Sequence, residues 1–116
     1  MKLSEIIQTV EADVICGHNR IDAGPEVECA CASDLMSDVL MLKRRDFMLI
    51  TGLSNVQSIR TAEMSDVRVI LYVRNKPIDP EIVTLAEENE MIILRTAFSM
   101  FRTVGLLYSA GLKPVY

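Results

Sequence analysis

Three short runs dominated by apolar residues, "DFMLIT" (46–51), "VRVILYV" (67–73) and "MIILRT" (91–96), alternate with segments of helical periodicity. Runs this short and this apolar suit strands buried on both faces, the condition of a parallel sheet covered by helices on each side. Helical segments lie between and after them. "SNVQSI" can be capped by Ser54 and carries Val56, Ile59 and Ala62 inward. "IDPEIVTLAEENE" has Asp79 at a cap and Pro80 in the first turn, with Ile82, Leu85 and Ala86 inward. A last helix starts near Ser99, directs Phe101, Val104 and Tyr108 inward, and ends at Gly111 and Pro114.

The first third is looser. "LSEIIQTV" spaces Leu3, Ile6, Ile7 and Val10 as a helix with Ser4 as a possible cap. "ADVICG" reads as a strand ending at Gly17, "HNRIDAGP" as a loop, and "VECACA" as a second strand. These early strands can pair antiparallel at an edge. Ser33 or Asp34 can cap the next helix, where Leu35, Val39 and Leu42 make a stripe that Met36 and Leu40 broaden. The expected fold is therefore α/β: a largely parallel sheet of about five to six strands with flanking helices, in one domain over 1–116.

The net charge of −4, with "LKRR" (42–45) as the densest basic patch, argues against a nucleic-acid surface. The acid-bearing start "MKLSEIIQTVEAD" does not read as a signal peptide, and no apolar run is long enough to span a membrane. A cytoplasmic location is the expectation, with no membrane partner.

Four constellations could carry chemistry. Cys29 and Cys31 share one strand face, with Cys16 on another strand and His18 in the following loop. Three thiolates need a fourth ligand for a zinc or iron–sulfur site, which His18 could supply, and the opposing reading is of a solvated loop histidine and small thiols filling a tight sheet face. No metal or cofactor is expected. Asp34 and Asp38 lie four apart, on one face if both are helical. They are either a cap and a solvated charge, or two groups on the rim of a cleft.

"TGLSN" (51–55) follows a buried strand and precedes a helix, the place where open parallel sheets hold ligands. Thr51, Ser54 and Asn55 supply donors and acceptors, and Gly52 allows close approach. The alternative is a tight turn with a cap. The chain has neither phosphate-loop nor dinucleotide-fold glycine signature. Arg74 and Lys76 in "VRNKPIDP", and Arg95 and Thr96 in "RTAFSMF", belong to the two other loops leaving the same sheet edge. No nucleophile–base pair with an orienting group is present, so an enzyme is not expected.

The runs "SDLMSDVLM", "ITGLSNVQSI" and "ILYVRNKPIDPEIVTLAEENEMIILRTAFSMFRTVGLLYSAGL", with the opening "MKLSEIIQ", resemble the DRTGG domain in order and spacing. The chain looks most like small stand-alone members found near hydrogenase and iron–sulfur protein genes; other relatives lie within long phosphotransacetylases or beside CBS domains. The resemblance implies a fold similar to the N-terminal domain of HPr kinase/phosphorylase. It implies a regulatory or accessory module, often dimeric, without an established activity of its own. A small anionic or nucleotide-like ligand, or a protein partner in a redox (hydrogenase-type) system, would suit such a module. By position Ser33, Asp34 and Asp38 match the family's serine–aspartate helix start, Thr51 and Asn55 its polar turn, and Thr96 and Phe101 the start of its last helix. The chain departs where relatives show a glycine pair: it has "VRNKP". The hydrogenase neighbourhood also suggests a cluster on Cys16, Cys29 and Cys31, which proximity of genes alone does not establish.

Overall fold

A computed structural model describes all residues from Met1 to Tyr116. The elements are α1 (Leu3–Val10), β1 (Asp13–Cys16), β2 (Cys29–Ala32), α2 (Met36–Leu40), β3 (Met48–Thr51), α3 (Val56–Met64), β4 (Val69–Tyr72), α4 (Pro80–Glu88), β5 (Ile92–Arg95), α5 (Met100–Ser109) and β6 (Lys113–Pro114), with a short 3-10 turn at His18–Arg20. They form one six-stranded sheet in the order β1-β5-β4-β3-β2-β6. Every pairing is parallel except β1 with β5. The sheet is therefore mixed and mostly parallel. Of the early strands, β1 pairs antiparallel at an edge as expected. β2 instead runs parallel, between β3 and β6.

The layering follows from the handedness of crossovers. From β2 to β5 the chain steps in one direction through α2, α3 and α4, and right-handed connections put all three helices on one face. After β5 it returns across the sheet to β6, which places α5 on the opposite face beside α1. Each central strand alternates its side chains between the two layers. Leu49, Ile70, Tyr72 and Ile93 pack under α2–α4 in a cluster of 15 buried residues. Met48, Ile50, Leu71 and Leu94 pack under α1 and α5 in a cluster of 13. The near-equal clusters explain why these strands are apolar throughout rather than alternating. No helix is long and apolar enough to cross a membrane.

Several local expectations change. Lys2, not Ser4, precedes α1, and no side chain caps it. Asn55, not Ser54, caps α3 by accepting from the Ser58 N–H. Asp79 and Ser99 cap α4 and α5 as the sequence indicates, accepting from Glu81 and Arg102 N–H groups. Helix α2 begins only at Met36, with Leu35 extended ahead of it, so neither Ser33 nor Asp34 caps it. Met36 and Val39 are its buried residues, while Leu35 and Leu40 face out. On α5 the inward residues are Thr103 and Leu107, flanked by half-buried Met100 and Val104. Phe101 and Tyr108 are 84% and 67% exposed, against expectation. Strand β6 was not foreseen; its proline is tolerated because it lies at the sheet edge.

Gly17 ends β1 at φ +89, and a Cβ there would come within 3.2 Å of Ile92 Cα and the Met91 carbonyl, so this turn requires glycine. Elsewhere the same left-handed geometry falls on residues with side chains, four of them acidic: Glu11, Asp46, Asp66 and Glu90. Glu90, between α4 and β5, has φ 54, while the adjacent Met91 N–H closes the helix end on the Ala86 carbonyl. Glu90→Gly is expected to raise stability by about 1 kcal/mol, read as a higher urea midpoint with an unchanged slope.

Candidate functional site

The parallel register brings the ends of β3, β4 and β5 to one edge: Thr51 pairs with Tyr72, and Tyr72 with Arg95. Hydrogen bonding continues beyond the strands. Ser33 N–H donates to Ile50 O, Val73 N–H to Thr51 O, Arg74 N–H to Phe98 O and Asn75 N–H to Thr96 O. The loops therefore leave the sheet in fixed positions, a prerequisite for a preorganised site.

Asp34 is the convergence point. One carboxylate oxygen accepts from the Thr51 hydroxyl at 3.0 Å and from the Gly52 N–H at 2.7 Å. The other accepts from an Arg74 guanidinium N–H at 3.3 Å. Partial burial alone would raise the Asp34 pKa. The Gly52 N–H, the Thr51 hydroxyl and the Arg74 charge outweigh it and hold the carboxyl below its ordinary value. Asp34 therefore stabilises the folded state as a carboxylate. That contribution is present above the unfolded carboxyl pKa of roughly 4 and is lost as pH falls through the depressed folded value.

Arg74 lies flat against Gly52. A Cβ on Gly52 would fall 2.1 Å from an Arg74 guanidinium nitrogen. Gly52 does not have positive φ, so alanine suits its backbone, and the atom in the way is the free end of a flexible side chain. Gly52→Ala is expected to cost under about 1 kcal/mol. It should nevertheless detach Arg74 from Asp34 and return the Asp34 pKa toward its ordinary value, measured by carboxyl-carbon NMR titration.

The loop that presents Arg74 has its own constraint. Arg74 and Asn75 have φ 66 and 51. Both fall in "VRNKP", the stretch where the family resemblance implies a glycine pair, and glycine adopts that conformation without strain. The left-handed turn directs the Arg74 guanidinium across Gly52. An Arg95 guanidinium N–H reaches the Lys76 carbonyl at 3.4 Å and steadies the same loop.

The remaining predicted residues divide. Thr96 is buried, its hydroxyl donating to the Val10 carbonyl at 2.6 Å and accepting from the Phe98 N–H. It holds α1 to β5 and does not join Asp34. Asn55 is taken up by its cap, and Ser54 is half-buried in the turn. Asp38 sits in the first turn of α2, exposed and apart from Asp34, because the helix starts two residues after Asp34. Asp38 acts instead on Cys31, whose thiol pKa is raised first by burial and then by that charge. Beneath the turn, the buried Tyr72 hydroxyl shares a 2.6 Å hydrogen bond with Ser58, and burial pushes its pKa up to about 12.

The cysteines do not converge. Cys16 on β1 and Cys29 on β2 are four strand spacings apart, about 19 Å. Burial raises the Cys16 pKa, helped by Glu87 and opposed by Arg20, so that thiol too favours its protonated, poorly ligating form. Concavities of about 540 and 550 Å³ open at the opposite sheet edge, around Arg68 and Asn89. They mix both charge signs, and Arg45 there is paired with Asp66. The first sets Arg45 and Arg68 against Asp46, Glu63 and Asp66, and the second sets Arg20 and Arg68 against Glu90.

No curated protein matches the chain. Among solved structures, the fold is similar to the CBS and DRTGG domains of the regulatory region of Clostridium perfringens pyrophosphatase, complexed with the activator diadenosine tetraphosphate. The TM-score is 0.74 at 16% identity, covering 98% of this chain and 48% of that one. This chain thus spans about half the length of that one. The DRTGG domain matches residues 5–110, nearly the whole sequence, and the chain belongs to the DRTGG domain family.

Proposed function

We propose that this chain is a non-catalytic regulatory or accessory module, homodimeric, that senses a small anionic or nucleotide-like ligand at the strand-end edge holding Asp34, Thr51, Gly52 and Arg74. The carrying observation is that a hydroxyl, a backbone N–H and a guanidinium meet on one carboxylate. This is a donor set suited to a phosphate group. Asp34 occupies it as an internal anion. A phosphate competing for these donors would release Asp34 and with it the turn leading into α2, so occupancy becomes a change in helix position or order. Ser54 and Asn55 adjoin this edge in the turn that leads into α3, while Thr96 supports it from the core. The likeness to a regulatory region bound to diadenosine tetraphosphate supports the ligand class.

The test is a heteronuclear NMR titration with diadenosine tetraphosphate, ATP and inorganic phosphate in parallel. The largest amide shifts are expected at Thr51, Gly52 and Arg74, with smaller ones at Ser33 to Met36. Absence of any shift there at millimolar ligand overturns the sensing role.

A protein-docking role, including one in a redox system of the hydrogenase type, is the second reading. It is favoured by exposed Met41 and Met64, which offer soft contact surface; Met36 and Met48 are core.

A further inference from the structure

Helix α5 has more apolar surface than its own fold uses. Met100, Thr103, Val104 and Leu107 face the sheet and α1. Beyond them Phe101, Gly105 and Tyr108, spaced i, i+4 and i+7, form a second stripe directed outward. A Cβ built on Gly105 meets nothing within 4 Å, so the helix backbone is open to close approach there. Beside Tyr108 lies an apolar groove of about 170 Å³, walled by Ala30, Ala32, Ile50, Leu107 and Leu112. It exists because the helix layer on this face ends at α5, and the alanines of β2 are too small to fill the space.

We propose that this stripe is the homodimer interface, with the α5 helices of two copies packed antiparallel about a twofold axis beside Gly105. The proposal deepens the dimeric part of the function above and rests on it; the ligand part stands separately. Register supports a second copy as the occupant. Phe101 lies four residues before Gly105 and Tyr108 three after it, so such an axis places each Phe101 against the partner's Tyr108. That is the self-complementary pattern a twofold contact requires. Each Phe101 then also lies at the mouth of the partner's groove.

Charge supports it as well. The protein carries a net charge of −4, so two copies repel except where acidic groups are absent. Among the five α-helices α5 alone has no acidic residue. Its one charge, Arg102, is held 3.7 Å over the Phe98 ring. Area points the same way: Phe101 and Tyr108, 84% and 67% exposed, offer roughly 300 Å² of side chain. Leu106, the groove and the Lys113–Tyr116 edge extend this toward the roughly 800 Å² per partner of a standard interface.

Sedimentation equilibrium of the full chain, its Phe101→Glu variant and a Cys31→Ser/Gly105→Cys variant tests this. The unmodified chain should show twice its 13.0 kDa mass. Phe101→Glu should weaken association by roughly 30-fold or more, with unchanged circular dichroism, since the side chain is exposed, and with a melting temperature lowered only by the stabilisation that dimerisation gives the wild type. The Gly105→Cys variant should form a disulfide-linked dimer under mild oxidation. A dimer that survives Phe101→Glu and does not cross-link overturns this surface and leaves the dimeric reading intact. A chain that stays monomeric, or captures only an unlike protein through α5, overturns both while leaving ligand sensing untouched.

Discussion

Ile70→Ala and Leu71→Ala are each expected to destabilise the protein by about 3 to 4 kcal/mol, lowering the melting temperature by roughly 12 °C or more. The two residues are consecutive on β4 and point to opposite faces. Both have 0% exposure, Ile70 under the α2–α4 layer and Leu71 under α1 and α5. Each truncation leaves a cavity that rigid neighbours on three sides cannot close. In a sheet with one wet face, one of two adjacent positions would be tolerant. Comparable, large losses from both, by chemical denaturation, are therefore the signature of this architecture. A cost below about 1 kcal/mol at either position would contradict helical cover on that face.

Asp34→Ala is expected to cost about 2 kcal/mol, roughly 8 °C in melting temperature. It leaves the Thr51 hydroxyl and the Gly52 N–H, both on buried residues, without their shared acceptor. The Arg74 contact adds little to this, because both partners are more than 40% exposed. The loss should begin to shrink as pH falls below the unfolded carboxyl value of roughly 4 and disappear as it passes the depressed folded value of Asp34. Asp34→Asn behaves differently. It keeps an acceptor for Thr51 and Gly52 and removes the charge that competes with an anionic ligand. It should retain most of the stability and bind diadenosine tetraphosphate about fivefold to tenfold more tightly by calorimetry, since no carboxylate charge then competes with the ligand for Arg74. Equal or weaker binding would show that Asp34 does not stand in the ligand's place.

The sequence was most legible where local chemistry and burial coincide. Apolar runs at Met48–Thr51, Val69–Tyr72 and Ile92–Arg95 became the inner strands. Asp79 with Pro80, and Ser99, marked helix starts because a cap needs only a few neighbouring atoms. Where a choice between faces depended on distant packing, it failed. The spacing of Phe101, Val104 and Tyr108 is as helical as that of Thr103 and Leu107, and hydrophobicity alone favoured the aromatic set. Only the path of α5 back across the sheet puts Thr103 inward. Ser33 and Asp34 read as a helix cap for a similar reason: the pattern Ser-Asp before an apolar run is a cap signature. In the fold, a neighbouring strand end offers Asp34 better donors than its own helix does. Strand β6 is two residues, one of them proline, too short to have a period. The departure at Arg74 was visible as a missing glycine pair. That its guanidinium crosses to Gly52, 22 residues back along the chain, follows only from β3 and β4 lying side by side.

The most direct measurement is the side-chain resonance of Arg74 Nε–Hε, followed with the Asp34 carboxyl carbon while diadenosine tetraphosphate is added. If the ion pair is the sensor, both signals move together with one saturation curve, and the Asp34 carbon shifts toward that of a solvated carboxylate. If ligand saturates elsewhere while Arg74 and Asp34 remain unchanged, the pair is only a structural clasp and the sensing account is contradicted.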